Sequence, residues 1–176
     1  MGARFLDDEA RAAFKHAIEV IEAGSSVEVV IAVRRRSATY RHANVAVGAV
    51  IAFAGLAVML FASHPFPLGS ILMEPFMVGL FAGGAVELLP QVKRWLTPRA
   101  SRRAHVARAA RATFVDRGVH NTSGRSGVLV YISWLEQQIA LVADSGLAVT
   151  LPEGALARAE HELTLAMPRG GAAVAR

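Results

Sequence analysis

The chain has 176 residues, 53% of them hydrophobic and 19% charged, with a formal net charge of +5. Soluble domains carry about 25% charged residues, and the deficit here is local: residues 44–92 hold two acidic side chains, Glu74 and Glu87, and no Lys or Arg, whereas the other 127 positions hold 31 charged residues. Cysteine is absent, which excludes a disulfide framework, a thiolate nucleophile and cysteine-ligated zinc or iron–sulfur centres.

Met1 to Leu6 lack the basic start, apolar stretch and cleavage site of a secretory signal, so the chain is expected to begin in the cytoplasm. Asp7, with Asp8 and Glu9 in the positive first turn, opens an amphipathic helix over 7–23. Its apolar positions are Ala10, Phe14, Ala17, Ile18 and Ile21, and Gly24 stops it. Ser25 to Val33 reads SSVEVVIAV, rich in β-branched residues and of strand length, with Val27, Val29, Ile31 and Val33 on one face.

Residues 43–62 then run without a charge. About 20 residues at 1.5 Å rise cross a hydrocarbon core of about 30 Å. The nine Val, Ile, Leu and Phe side chains in this run contribute about −3 to −5 kcal/mol on the insertion scale. A second run over 70–90 carries Glu74, Pro75 and Glu87, both carboxylates within about one turn of an end, where they reach the interface. Between the runs SHPFPLGS makes a tight turn, so 43–92 is predicted to be a transmembrane helical hairpin. Gly79 and Gly83 form a GxxxG step opposite a small-residue face of Gly48, Ala52 and Gly55.

Arg34, Arg35, Arg36 and Arg41 precede the first span, and Lys93, Arg94, Arg99, Arg102, Arg103, Arg108 and Arg111 follow the second, while the loop 63–69 has no Lys or Arg. By the positive-inside rule both termini face the cytoplasm. This position beside two spans, with Trp95 as an interface anchor, assigns the basic residues to anionic lipid headgroups and not to a nucleic acid.

Residues 100–117 read as a helix with Val106, Ala110 and Phe114 along one side and Gly118 at its end. Residues 127–143 read as a β-hairpin joined at Leu135 and Glu136. Thr150, Pro152 and Glu153 form a capping-box start for a last helix carrying Leu156, Ala159 and Leu163. The Gly- and Ala-rich tail 169–176 is expected to be mobile. Neither flank buries a core alone, so 1–36 and 99–168 are expected to form one discontinuous α/β domain interrupted by the hairpin.

The stretch from Ala104 to Gly146 resembles the TPM-domain family, known from thylakoid-lumen acid phosphatases of photosystem II repair and from bacterial membrane proteins. The shared pattern is a helix ending in the glycine turn Gly118-Val119-His120, a polar loop, Gly127-Val128-Leu129 opening a strand, a paired strand with Ile139 and Val142, and Gly146. The resemblance covers most of the chain outside the hairpin. It implies an α/β/α sandwich around a short mixed sheet, in a bacterial inner-membrane protein. Where phosphatase-like members commonly carry Asp-Asn before Gly-Val-Leu, this chain has Arg125 and Ser126, so neither a metal nor a hydrolytic site is carried over.

Pairing Ser133 with Gln138 places Gly127 opposite Asp144 and gathers His120, Asn121, Thr122, Ser123, Arg125 and Asp144 at the open end of the hairpin. One reading makes this a ligand or phosphate site with Arg125 as charged donor and Asp144 as its orienting partner. The other is an Arg–Asp pair with loop-capping hydroxyls. No nucleophile motif, Walker loop, dinucleotide fingerprint or HExxH occurs, and the six histidines show no metal-ligand spacing. No cofactor or metal is expected. The sequence reading is a membrane-anchored, non-enzymatic adaptor or assembly and repair factor with the bilayer and a membrane or cytoplasmic protein as partners. Homo-oligomerisation is left open, and a membrane-tethered phosphatase-like hydrolase is the rival.

Overall fold

A computed structural model describes residues 5–175. The chain is mostly helical, with one three-stranded mixed sheet, and it divides into two compact units: residues 1–38 with 100–176, and residues 39–99.

In the first unit Asp7 caps α1 (Asp8–Gly24) by accepting the Ala10 N–H at 2.8 Å. β1 (Glu28–Arg34) follows, then α5 (Arg99–Asp116), β2 (Gly127–Ser133) and β3 (Gln138–Ala143). β1 lies parallel to β2, with Glu28 beside Gly127 and Arg34 beside Ser133. β3 returns antiparallel in the register Ser133–Gln138 to Val128–Ala143, the pairing expected from the sequence. Period-two alternation distributes the strands between two cores. Ile31, Val33, Val130, Ile132, Ile139 and Leu141 pack with Phe14 of α1 and with Met167 and Val174 from the C-terminus. Their neighbours Val30, Ala32, Leu129, Tyr131, Ala140 and Val142 pack with Val106, Ala110 and Phe114 of α5. Spacing of four residues puts those three on one stripe of the helix, as its sequence period required.

The C-terminal part departs from expectation in two ways. Thr150 does not cap the last helix: Asp144 instead opens a short α6 (Ser145–Thr150), and α7 (Ala155–Ala166) starts behind Gly154 at φ 74°. The tail expected to be mobile is folded. A 3-10 turn over Met167–Arg169 leads into α8 (Gly171–Ala175), where Val174 is buried and a Cβ on Gly171 would overlap Phe5 O at 2.1 Å. Its Gly and Ala content, read as flexibility, serves close packing on the segment before α1.

The second unit is an antiparallel helix pair, α2 (Arg41–Phe61) and α3 (Leu68–Ala85), followed by a 3-10 turn Val86–Leu88 and α4 (Pro90–Leu96). α3 stops short of the expected Pro90, which begins α4, because proline fits the first helical turn better than an interior. α2 and α3 meet along their small residues: a Cβ on Gly79 would lie 2.5 Å from Gly48 O, and one on Gly83 would lie 2.7 Å from Asn44 O. Both helices are long and apolar enough to cross a membrane.

Candidate functional site

The open end of the hairpin forms as its register dictates, with Asp144 N–H donating to Gly127 O at 2.8 Å. What joins the loop to Asp144 is main chain. Arg125 O accepts the Leu147 N–H at 3.2 Å, and Gly146 lies so close that a Cβ there would meet Arg125 O at 2.7 Å and Gly124 O at 2.8 Å. Only glycine allows that approach. Arg125 itself sits at φ 50°, a left-handed conformation that costs a non-glycine residue about 1 kcal/mol or more. Thr122 Oγ1 accepts the Ser126 N–H at 2.9 Å, and the Ser126 hydroxyl donates to Ser26 O at 2.5 Å, tying the loop to the start of β1.

The expected ion pair does not form. Among the described residues Arg125 and Asp144 make no salt bridge: the Arg125 side chain is exposed, whereas Asp144 is 5% exposed and turned to its own helix. Asp144 Oδ1 accepts the Ser145 N–H at 2.6 Å, capping α6. A helix beginning at the next residue offers the carboxylate an uncompensated N–H and a favourable dipole end, and this local partner wins over a solvated guanidinium. Asp144 Oδ2 and His120 Nδ1 are buried without a hydrogen-bond partner. His120 packs on Phe114, ring centroids 6.1 Å apart, while Asn121 and Ser123 are exposed. The structure therefore unites Thr122, Arg125 and Asp144 through the backbone, and none of the hydrogen bonds found ties His120, Asn121 or Ser123 to Asp144. Asp144→Ala is expected to lower stability by about 1 kcal/mol through loss of the cap, and Asp144→Asn by less, in thermal unfolding of the full chain.

A second polar centre lies at the opposite end of β2, at the turn expected at Leu135 and Glu136. The turn spans Trp134 to Gln137, with Gln137 at φ 51°, and Glu136 is wholly buried. Its Oε1 accepts the Ser37 N–H at 2.9 Å and its Oε2 accepts the Ser133 hydroxyl. Ser37 Oγ lies 2.7 Å from Ser133 Oγ and 3.2 Å from Tyr131 Oη, and Arg102 Nη1 donates to Glu136 O at 2.9 Å. The sequence signal for this centre is that Ser133 shares the strand face of Leu129 and Tyr131, which makes it a core hydroxyl in need of an acceptor.

In the helix-pair unit Glu87, expected to stand at the end of its span, pairs with the buried Lys93 and accepts from Asn44 Nδ2 at 3.2 Å. Glu74 is exposed. Among the described residues no three His, Asp or Glu side chains gather as metal ligands. No family model, no curated protein and no solved structure matches the chain.

Proposed function

We propose that the chain is an integral membrane protein of a bacterial inner membrane. In this reading α2 and α3 span the bilayer as a hairpin, both termini are cytoplasmic, and the mixed-sheet unit is a TPM-like α/β/α sandwich acting as a non-enzymatic adaptor or assembly factor. The observation that carries the membrane reading is the exposure of the large apolar side chains of α2 and α3. Val50, Phe53, Leu80 and Phe81 are 68%, 72%, 77% and 72% exposed, while glycine and alanine fill the seam between the helices. A soluble bundle turns such side chains inward; an exposed apolar surface of this extent calls for another apolar phase. Orientation is supported by charge, because 11 of the 19 Lys and Arg residues lie at positions 34–41 and 93–111, beside the two ends of the hairpin that the reading places in the cytoplasm.

The adaptor reading is supported by how the loop residues are spent: Thr122, Ser126 and one oxygen of Asp144 hold the backbone together. Alkaline carbonate washing of cell membranes tests the anchor. The chain is expected to stay in the pellet, and release to the supernatant contradicts the reading. The hydrolase alternative has one observation in its favour, the buried and unpartnered Oδ2 of Asp144. Turnover of a generic phosphomonoester by the purified protein, lost on Asp144→Ala, would displace the adaptor.

A further inference from the structure

The two edges of the sheet are treated differently. Along β3, α7 covers the outward N–H groups: Ile139 donates to Thr164 Oγ1 at 3.3 Å and Leu141 to Glu160 Oε2 at 3.3 Å. Along β1, Glu28 N–H bonds to Ser126 O and Arg34 O accepts from Trp134 N–H, so the even-numbered residues face β2 with their main chain. By alternation Val29, Ile31 and Val33 point their N–H and C=O groups outward. The exposed Glu22 Oε1 accepts the Val29 N–H at 3.2 Å, and among the described residues no strand lies beyond Ile31 and Val33. A groove lined by Phe14, Ile18, Ile31 and Val33 runs beside this edge, between α1 and β1.

We propose that the β1 edge is a homodimer interface, in which β1 pairs antiparallel with β1 of a second copy about a two-fold axis at Ile31. The occupant follows from charge. β1 reads EVVIAVR, with Glu28 and Arg34 both exposed at its ends and, six residues apart, on the same face of the strand. An axis at Ile31 sets Ile31 opposite itself and Val29 opposite Val33 as hydrogen-bonded pairs, and it sets Glu28 opposite Arg34 twice, as close non-hydrogen-bonded pairs. An axis at Val29 or Val33 has the same parity but brings no opposite charges together. A charged edge built to repel other strands would carry one sign; this one is complementary to itself. Glu22, which covers the Val29 N–H in a single copy, releases it when the strand pairs.

The absence of cysteine gives a direct test. Full-length Glu28→Cys and Arg34→Cys chains are purified separately, then mixed and oxidised in detergent. Non-hydrogen-bonded partners sit about 4.5 Å apart at Cα, within disulfide reach, so the mixture is expected to cross-link and either chain alone to stay uncross-linked. Charge reversal gives a second arm: Glu28→Arg or Arg34→Glu alone is expected to weaken the dimer about tenfold or more, and the double reversal to restore it. A monomeric wild-type chain, cross-linking as strong in either variant alone as in the mixture, reversal without rescue, or a different protein held at this edge each overturns the proposal.

Discussion

Replacing Glu136 by alanine is expected to destabilise the mixed-sheet unit by about 3 kcal/mol, because a buried hydroxyl and a half-buried N–H lose their acceptor at once. The Ser37 N–H and the Ser133 hydroxyl both point at this carboxylate from residues 99 apart and 3 apart in sequence, respectively. A buried donor left without an acceptor costs about 1–3 kcal/mol, and a half-buried one costs less. The bond to Ser37 also fixes the chain where it leaves β1, so its loss loosens the parallel β1–β2 pair at the Arg34–Ser133 end. Glu136→Gln keeps one side-chain oxygen and is expected to lose about half as much. Urea unfolding of the full chain in detergent, followed by the fluorescence of Trp134 against Phe5 at 5.2 Å, reads both variants. A loss below about 1 kcal/mol for the alanine variant contradicts the role given to the carboxylate.

Gly79→Leu is expected to force α2 and α3 apart at a cost of roughly 3 kcal/mol or more. Even the first side-chain carbon meets Gly48 O at 2.5 Å and the Ala52 Cβ at 2.8 Å. These are backbone and helix-borne atoms with no rotamer to escape into, so the helices themselves must move. In the bilayer setting proposed for this pair no water drives association, so the seam depends on this close approach. Gly84 is the control: nothing lies within 4 Å of a Cβ built there, and Gly84→Leu is expected to be neutral. Cysteines at 55 and 75 report the separation, because a Cβ on Gly55 stands 3.6 Å from the Pro75 Cβ, inside the disulfide range. The disulfide is expected in the parent and in Gly84→Leu, and to be lost in Gly79→Leu. Retention in Gly79→Leu contradicts the seam.

Much of the fold is legible wherever a local rule decides. Asp7 caps α1 because an acidic side chain before an apolar period has one nearby N–H to take. A single assumed pair, Ser133 with Gln138, fixes the whole β2–β3 register because a one-residue slip would turn every core side chain to the wrong face. What escaped the sequence is decided at long range. Glu136 is buried by a partner 99 residues away, and no window around it contains Ser37. Val174 is buried by the C-terminal turn folding back to the segment ahead of α1, against a composition that reads as a loose tail. The register sets Asp144 opposite Gly127, but no local pattern marks the six-residue helix that starts at Ser145 and takes the carboxylate first.

The central claim, that the apolar pair crosses a bilayer with its turn outside, is tested most directly by cysteine accessibility in intact cells. The parent has no cysteine, Ser63 is exposed in the turn between α2 and α3, and Val149 is 87% exposed in the mixed-sheet unit. A membrane-impermeant maleimide is expected to label Ser63→Cys in intact cells and Val149→Cys only after the membrane is opened. Labelling of Val149→Cys from outside, or of Ser63→Cys only after lysis, contradicts the account.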